Sequence, residues 1–394
     1  MSVASNQHLE IVPSNITSDG KLSYKNGQPT IQLLIGAQDR YIVPGSVRLC
    51  GEITIKKSAG VLPTDGDGIR MNERLGVYSI VDTLSIFSQN SGQTIESINH
   101  HNRMMSSYLS VTQSQADFAC HAYETSLRFP NFAGQQIGVV ENPQVADSPN
   151  SFCIPLVSGL FMGQDPIPLS NQWGVGGLNI EIQLAPDQQV LFSEDNTDTE
   201  LLNSFYELSN VRLICEVQRP SMDQLSQIQS QTTNTFTYNS ISSYYNTINS
   251  ANAILNFNLG LKSVLGAFMN VVPSGHINSF TRDGLATLPF TNKSGSVANV
   301  DQAVFTRAGE RFPLEYNIDT LQKTTAANDT GDAQLVRNYM DAVMGFSKIA
   351  RSSVDTSVYR NFDCGTNYAT CKTIIKGGSA WGLGVNYDQI SNSG

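Results

Sequence analysis

The sequence is short of charge. Only 15% of its 394 residues are Asp, Glu, Lys or Arg, and no run of Lys and Arg stands anywhere. Its 34 acidic residues outnumber the 24 basic ones, for a net charge of −10. Such a chain does not hold a nucleic-acid backbone through its overall field. Cysteine is also sparse. Cys50, Cys120, Cys153, Cys215, Cys364 and Cys371 are scattered, which excludes a small disulfide scaffold and makes reduced, buried thiols the expectation. Cys364 and Cys371 form no C-x-x-C motif, and their spacing leaves open whether they pair. Trp173 and Trp381 are the only tryptophans, too few for an obvious carbohydrate platform. No apolar stretch approaches the roughly 18 residues of a membrane span, so none is expected. No charged N-terminal region precedes an apolar run, so no leader is expected either, and the sequons at Asn15, Asn292 and Asn328 are read as chance.

The recognisable catalytic strings are missing as well. There is no G-x-S-x-G, H-E-x-x-H or G-x-x-x-x-G-K-[ST]. Histidine is limited to His8, His100, His101, His121 and His276. Adjacent residues on a helix point about 100° apart, so His100 and His101 cannot share one metal there, and both are read as surface or core-edge residues. Asp65-Gly-Asp67-Gly begins like a calcium loop, but Ile69 stands where the third oxygen ligand belongs, so a plain turn is expected. Glu181 and Glu207 are the carboxylates to weigh as a glycosidase pair, and both are read as solvent-side strand residues. No catalytic, cofactor-binding or metal-binding residue is assigned, and the chain is not expected to be an enzyme.

What is present is alternation. From Leu178 to Leu184 the apolar residues Leu178, Ile180, Ile182 and Leu184 interleave with Asn179, Glu181 and Gln183. A strand sends alternate side chains to opposite faces, so one face is buried and the other wet. Burying the four apolar groups contributes roughly 6–12 kcal/mol before entropy. Gly174, Gly176 and Gly177 permit a tight approach to this strand, and Pro186 ends it. Further strands are expected over 31–36, from Val47 to Lys57 with Gly51 marking a bulge, over 77–87, over 117–128, and around Val211–Val217. The period changes twice. Thr94 caps an expected helix carrying Ile95, Ile98, Met105, Tyr108 and Leu109, and a second is expected over 335–349. The Gln/Ser-rich stretch 221–234 reads as a mildly helical linker. After it come strands over 236–248 and 253–272, a Gly-centred turn within 304–318, and two final strands.

The organisation expected is thus an arm (1–30), a first unit (31–220), the linker (221–234) and a second unit (235–394). Each unit has several strands and one inserted helix. This is an all-β fold of two consecutive jelly-roll β-sandwiches, a double jelly roll with short inserted helices.

Five segments carry a family resemblance: 78–104 (YSIVDTLSIFSQNSGQTIESINHHNRM), 167–185 (IPLSNQWGVGGLNIEIQLA), 205–221 (FYELSNVRLICEVQRPS), 241–274 and 305–319 (FTRAGERFPLEYNID). In that order they resemble the double jelly-roll major capsid proteins of eukaryotic double-stranded DNA viruses, of the polinton-like virus and virophage type. The resemblance implies a structural protein of the virion, made and assembled inside the host cell. It implies homotrimeric capsomers of pseudo-sixfold outline that tile an icosahedral capsid, with penton and minor capsid proteins as neighbours and no cofactor. The loops near 58–74, 129–150 and 273–330 are then expected to lock the trimer and form its outer face. The N-terminal segment departs from a strongly basic genome-binding tail, so direct genome contact is not expected of it. The alternative reading is a β-sandwich adhesin or fibre with glycan affinity.

Overall fold

The structure is a computed structural model. It describes residues 7–15, 23–25, 30–63, 69–71, 75–112, 125–127, 150–193, 197–230, 236–257, 264–269, 271–272, 274–280, 285, 302–307, 309–312, 318–319 and 383–387. The expected strand over 117–128, the helix over 335–349, the Asp65/Asp67 turn and Cys120, Cys364 and Cys371 fall largely or wholly outside these residues.

Eight strands form the two facing sheets. They are β1 (Gln7–Ile11), β3 (Ile31–Ile35), β5 (Arg48–Lys56), β7 (Val81–Ser88), β8 (Thr94–Ile98), β9 (Asn150–Pro155), β11 (Leu178–Leu184) and β13 (Phe205–Gln218). One sheet runs β1-β13-β5-β9 and the other β3-β11-β7-β8, with every pairing antiparallel. Counting only these eight strands, the orders are first-eighth-third-sixth and second-seventh-fourth-fifth. That is the strand order of a jelly roll, in which two Greek keys fold over one another. Short strands extend the first sheet: β2 (Ser23–Tyr24) pairs with β13, and β4 (Tyr41–Ile42) joins β13 to β10 (Ile167–Pro168). A small ladder of β6 (Ile69–Met71) with β12 (Leu191–Ser193) stands apart. Helices are short: α1 (His101–Thr112), the single turn α2 (Asp187–Val190) and α3 (Met222–Ser230).

The alternation in β11 does what its pattern implies. Leu178, Ile180, Ile182 and Leu184 are buried, facing the core, and Gln183 is exposed. Across the sandwich they face a layer from β13 (Tyr206, Leu208, Val211, Leu213, Cys215, Val217) and from β5 (Leu49, Ile53, Ile55). Leu178 enters through Gly177, whose φ is +82°. A Cβ there would lie 2.7 Å from the Ile35 carbonyl oxygen, so only glycine lets β11 and β3 meet at this end.

Five expectations change. Gly76–Ile80 is a 3-10 turn, so the strand expected over 77–87 starts only at Val81. Residues 1–30, read as an arm, contain β1, which pairs along its whole length with β13 from Gln7↔Val217 to Ile11↔Leu213. Leu9 and Ile11 pack against the core, and two apolar residues are too few to announce a strand in sequence. Thr94 does not cap a helix. Thr94–Ile98 is β8, paired with β7, and the helix begins at His101. The bulge belongs to β13 rather than to Gly51: the register shifts between Ser209 and Arg212, where Asn210 takes φ +50°. Finally, residues 236–257, which hold the strand expected over 236–248 and the start of the one expected over 253–272, form no paired strand. Alternation encodes a two-faced segment, and a ladder also needs a neighbour with free backbone groups.

Past the linker the described residues form short ladders. β14 (Gly266–Met269) pairs with β19 (Leu383–Asn386), β15 (Gln302–Ala303) with β18 (Ile318–Asp319), and β16 (Phe305–Arg307) with β17 (Glu310–Phe312). The last pair is a hairpin whose Gly309 has φ +85°, the Gly-centred turn expected there. The linker itself holds α3, opened by a reciprocal cap: the Gln224 N–H donates to Ser221 Oγ (3.2 Å) and the Ser221 N–H donates to Gln224 Oε1 (2.9 Å).

Candidate assembly surface

The chain leaves α3 and returns to the first sandwich as a strap, residues 236–257. Its first half is anchored. Phe236 and Tyr238 stack at 5.7 Å and pack against the core. The Tyr238 hydroxyl donates to the Ile95 carbonyl at 2.7 Å. The Ile241 N–H donates to Glu96 Oε1 at 2.6 Å, and the Asn99 N–H donates to Ser243 Oγ at 2.6 Å.

Glu96 is the centre of this attachment. It lies on the inward face of β8, 3% exposed, where a strand normally carries an apolar residue. Its carboxylate also accepts from the Gly159 N–H (3.1 Å, Oε1) and the Leu160 N–H (2.9 Å, Oε2). Burial raises its pKa; the backbone N–H groups and Ser158 oppose that rise without cancelling it. Burial, and secondarily the Glu96 charge, push Tyr238 up to about 12. Gly159 makes the close approach possible, since a Cβ there would stand 1.9 Å from the Asn239 carbonyl oxygen.

The second half of the strap is apolar and open. Tyr244, Tyr245, Ile248, Ile254 and Phe257 are all exposed. Tyr244 and Phe257 meet at 5.5 Å between ring centroids. Tyr245 leans back on the sandwich, 5.1 Å from the His100 ring, with the Arg103 guanidinium 5.9 Å from its own centroid. Exposed apolar side chains gathered in this way mark interaction surfaces.

The residues weighed for chemistry are not assembled. Glu181 lies on the outer face of the β3-β11-β7-β8 sheet, accepting from Gln32 Nε2 (3.3 Å) and Asn179 Nδ2 (3.1 Å). Glu207 is on β13 in the opposite sheet and pairs with Lys56. The sandwich core separates them, so they cannot flank one glycosidic bond. His100 is within 3.2 Å of Asp82, whereas His101 is buried with Nε2 2.8 Å from the Val157 carbonyl. Burial drives the His101 pKa down to about 4. His8 is exposed on β1, while His121 and the His276 side chain lie outside the described residues. Asn15 is occupied internally: its amide donates to the Thr30 carbonyl and its Oδ1 accepts from the Gln32 N–H at 3.0 Å. Among the described residues no three His, Cys, Asp or Glu side chains gather as a metal site, and no helix is long and apolar enough to cross a membrane. Sequence reasoning missed the role of Glu96, because its donors come from 63 to 145 residues further along the chain.

The strand order defines an all-β protein of the jelly-roll class. No protein-family model matches the chain, and no curated protein does. Among solved structures it is similar to the Faustovirus major capsid protein, at 10% identity over 58% of this chain and 57% of that one, with a TM-score of 0.36. It is also similar to a chain of the Sputnik virophage structure determined by cryo-EM, at 10% identity over 56% of this chain and 48% of that one (TM-score 0.32). The mavirus major capsid protein is similar at 13% identity over 55% and 47% (TM-score 0.32). The chain thus spans about half the length of the structures it matches. The jelly-roll assignment rests on the strand order itself.

Proposed function

We propose that this chain is a major capsid protein of a double-stranded DNA virus of the polinton-like or virophage type. Its role is structural rather than catalytic. Three copies form a capsomer of pseudo-sixfold outline, and capsomers tile an icosahedral shell in company with penton and minor capsid proteins. Residues 235–394 form the second jelly roll of the pair, and no cofactor or strong nucleic-acid contact is needed.

One observation carries this reading. Three of the five segments that resemble capsid proteins fall on the elements that give the first sandwich its order: 78–104 spans β7, β8 and the start of α1, 167–185 spans β10 and β11, and 205–221 spans β13. The open strap supports self-association, since Tyr, Phe and Ile side chains left in water on one segment favour burial against another subunit. Size-exclusion chromatography with light scattering, followed by electron microscopy, tests the reading. Trimers, or shells built from them, are expected. A monomer at every concentration and salt condition would overturn it.

A further inference from the structure

Cys50 and Cys153 sit directly opposite one another on neighbouring antiparallel strands, in the register Cys50↔Cys153 between β5 and β9. Their sulfurs are 2.8 Å apart, both as free thiols. Opposed residues of an antiparallel pair have Cα atoms about 4.5–5.5 Å apart, inside the disulfide window of about 4.4–6.8 Å. Bonding at about 2.05 Å asks for roughly 0.8 Å of further approach. Both side chains lie on the outer face of the sheet, since Leu49, Ile53, Phe152 and Ile154 beside them point into the core. Cys153 is half-buried and Cys50 is 5% exposed. Arg212 is opposite Cys50 on its other side, and Arg212 and Arg48 both place positive charge near Cys50.

We propose that Cys50 and Cys153 form a redox site, closing a cross-strand disulfide between β5 and β9 when the folded chain meets a low-molecular-weight disulfide such as oxidised glutathione. The chemistry balances without another reactant. The Cys153 thiolate, on the more accessible side, attacks one sulfur of the reagent and expels one thiolate. Cys50 then loses its proton to water and attacks Cys153 Sγ, breaking the mixed disulfide and expelling the second thiolate. Two protein thiols become one disulfide while the reagent is reduced to two thiols. Burial, together with its neighbour Cys153, pushes the Cys50 thiol up to about 12, which assigns it the second step, where proximity compensates for a low thiolate fraction. The bond closes a loop between positions 103 apart in sequence that includes β7, β8 and α1, which limits the unfolded chain and so raises stability. This site stands independently of the capsid reading.

The test treats the purified, folded chain with oxidised glutathione and maps its peptic peptides without reduction. A Cys50–Cys153 linked peptide is expected, with two fewer alkylatable thiols and a melting temperature raised by several degrees, all reversed by dithiothreitol. C153S should give neither the link nor the shift. Mapping the unsubstituted chain decides the matter even if that variant folds poorly. A glutathione adduct that persists on Cys153, unchanged thiols, links only to other cysteines, or a link that leaves the melting temperature unmoved would overturn the proposal.

Discussion

Glu96 on β8 accepts a hydrogen bond from the backbone of Ile241, 145 residues later, at 2.6 Å. The same carboxylate holds the backbone of Gly159 and Leu160. One side chain therefore joins three parts of the chain that no ladder connects: the edge strand of the second sheet, the turn after β9, and the strap that follows α3.

Removing that side chain leaves three backbone N–H groups without their acceptor. Glu96→Ala should destabilise the protein by about 3 kcal/mol or more, at roughly 1–3 kcal/mol for each orphaned donor. Urea unfolding measures the loss. Limited proteolysis should show new cleavage within 236–246, and a strap as protected as before would contradict the anchoring role.

Gly159→Ala attacks the same junction by volume. The added methyl would meet the Asn239 carbonyl at 1.9 Å, so the strap must lift. A cost of about 1–3 kcal/mol is expected, with strap cleavage resembling that of Glu96→Ala. The two changes share one contact, so the double variant should lose less than the sum of the singles.

His101 sets a pH dependence. Its folded pKa, lowered to about 4, lies below the ordinary histidine value of 6.5. Between those values the unfolded chain binds the extra proton and the folded chain does not, so stability falls as pH drops from 6.5 towards 4. At about 1.36 kcal/mol per pH unit the loss approaches roughly 3 kcal/mol. Glu96 has the opposite sign: its raised pKa favours the protonated folded state, and its contribution is lost as pH climbs above the ordinary carboxylate range. Urea midpoints measured across this range should slope less in His101→Gln, which keeps an N–H for the Val157 carbonyl. An unchanged slope would exclude His101 as the source.

Ile180→Ala tests the core. The side chain is fully buried at the centre of β11, between β3 and β7. A loss of about 2–5 kcal/mol is expected in chemical unfolding, with the spread set by how far the site collapses.

The strap's outer face should behave differently. Replacing Tyr244 and Phe257 together by Ser removes two exposed rings that meet only at the surface. Thermal stability of the isolated subunit should move little, while self-association measured by analytical ultracentrifugation should weaken at least tenfold, as for loss of an aromatic hot spot.

How much of this could be read beforehand depended on range. Period-two alternation over seven or more residues located β5, β11 and the second half of β13, because burial of one sheet face is written locally. Where the pattern was short, as in Gln7–Ile11 and Thr94–Ile98, it failed. In Thr94–Ile98 the apolar Ile95 is only half-buried while the charged Glu96 is inside, against the usual preference. The adjacent histidines show the same limit. They look equivalent in sequence, yet His100 takes φ +54° and meets Asp82 at the surface while His101 starts the helix in the core.

By itself, then, the sequence determined an all-β chain and the central strands of its first sandwich. These follow from side-chain periodicity and residue chemistry, which need no knowledge of neighbours. Only the tertiary structure decided that β1 completes a sheet with β13, that Glu96 has buried partners, and that Cys50 faces Cys153 across a ladder. The physical reason is common to all three. A hydrogen bond, a strand pairing or a thiol contact is set by which distant segments the fold brings within a few ångströms, and that depends on the order of strands rather than on any one of them.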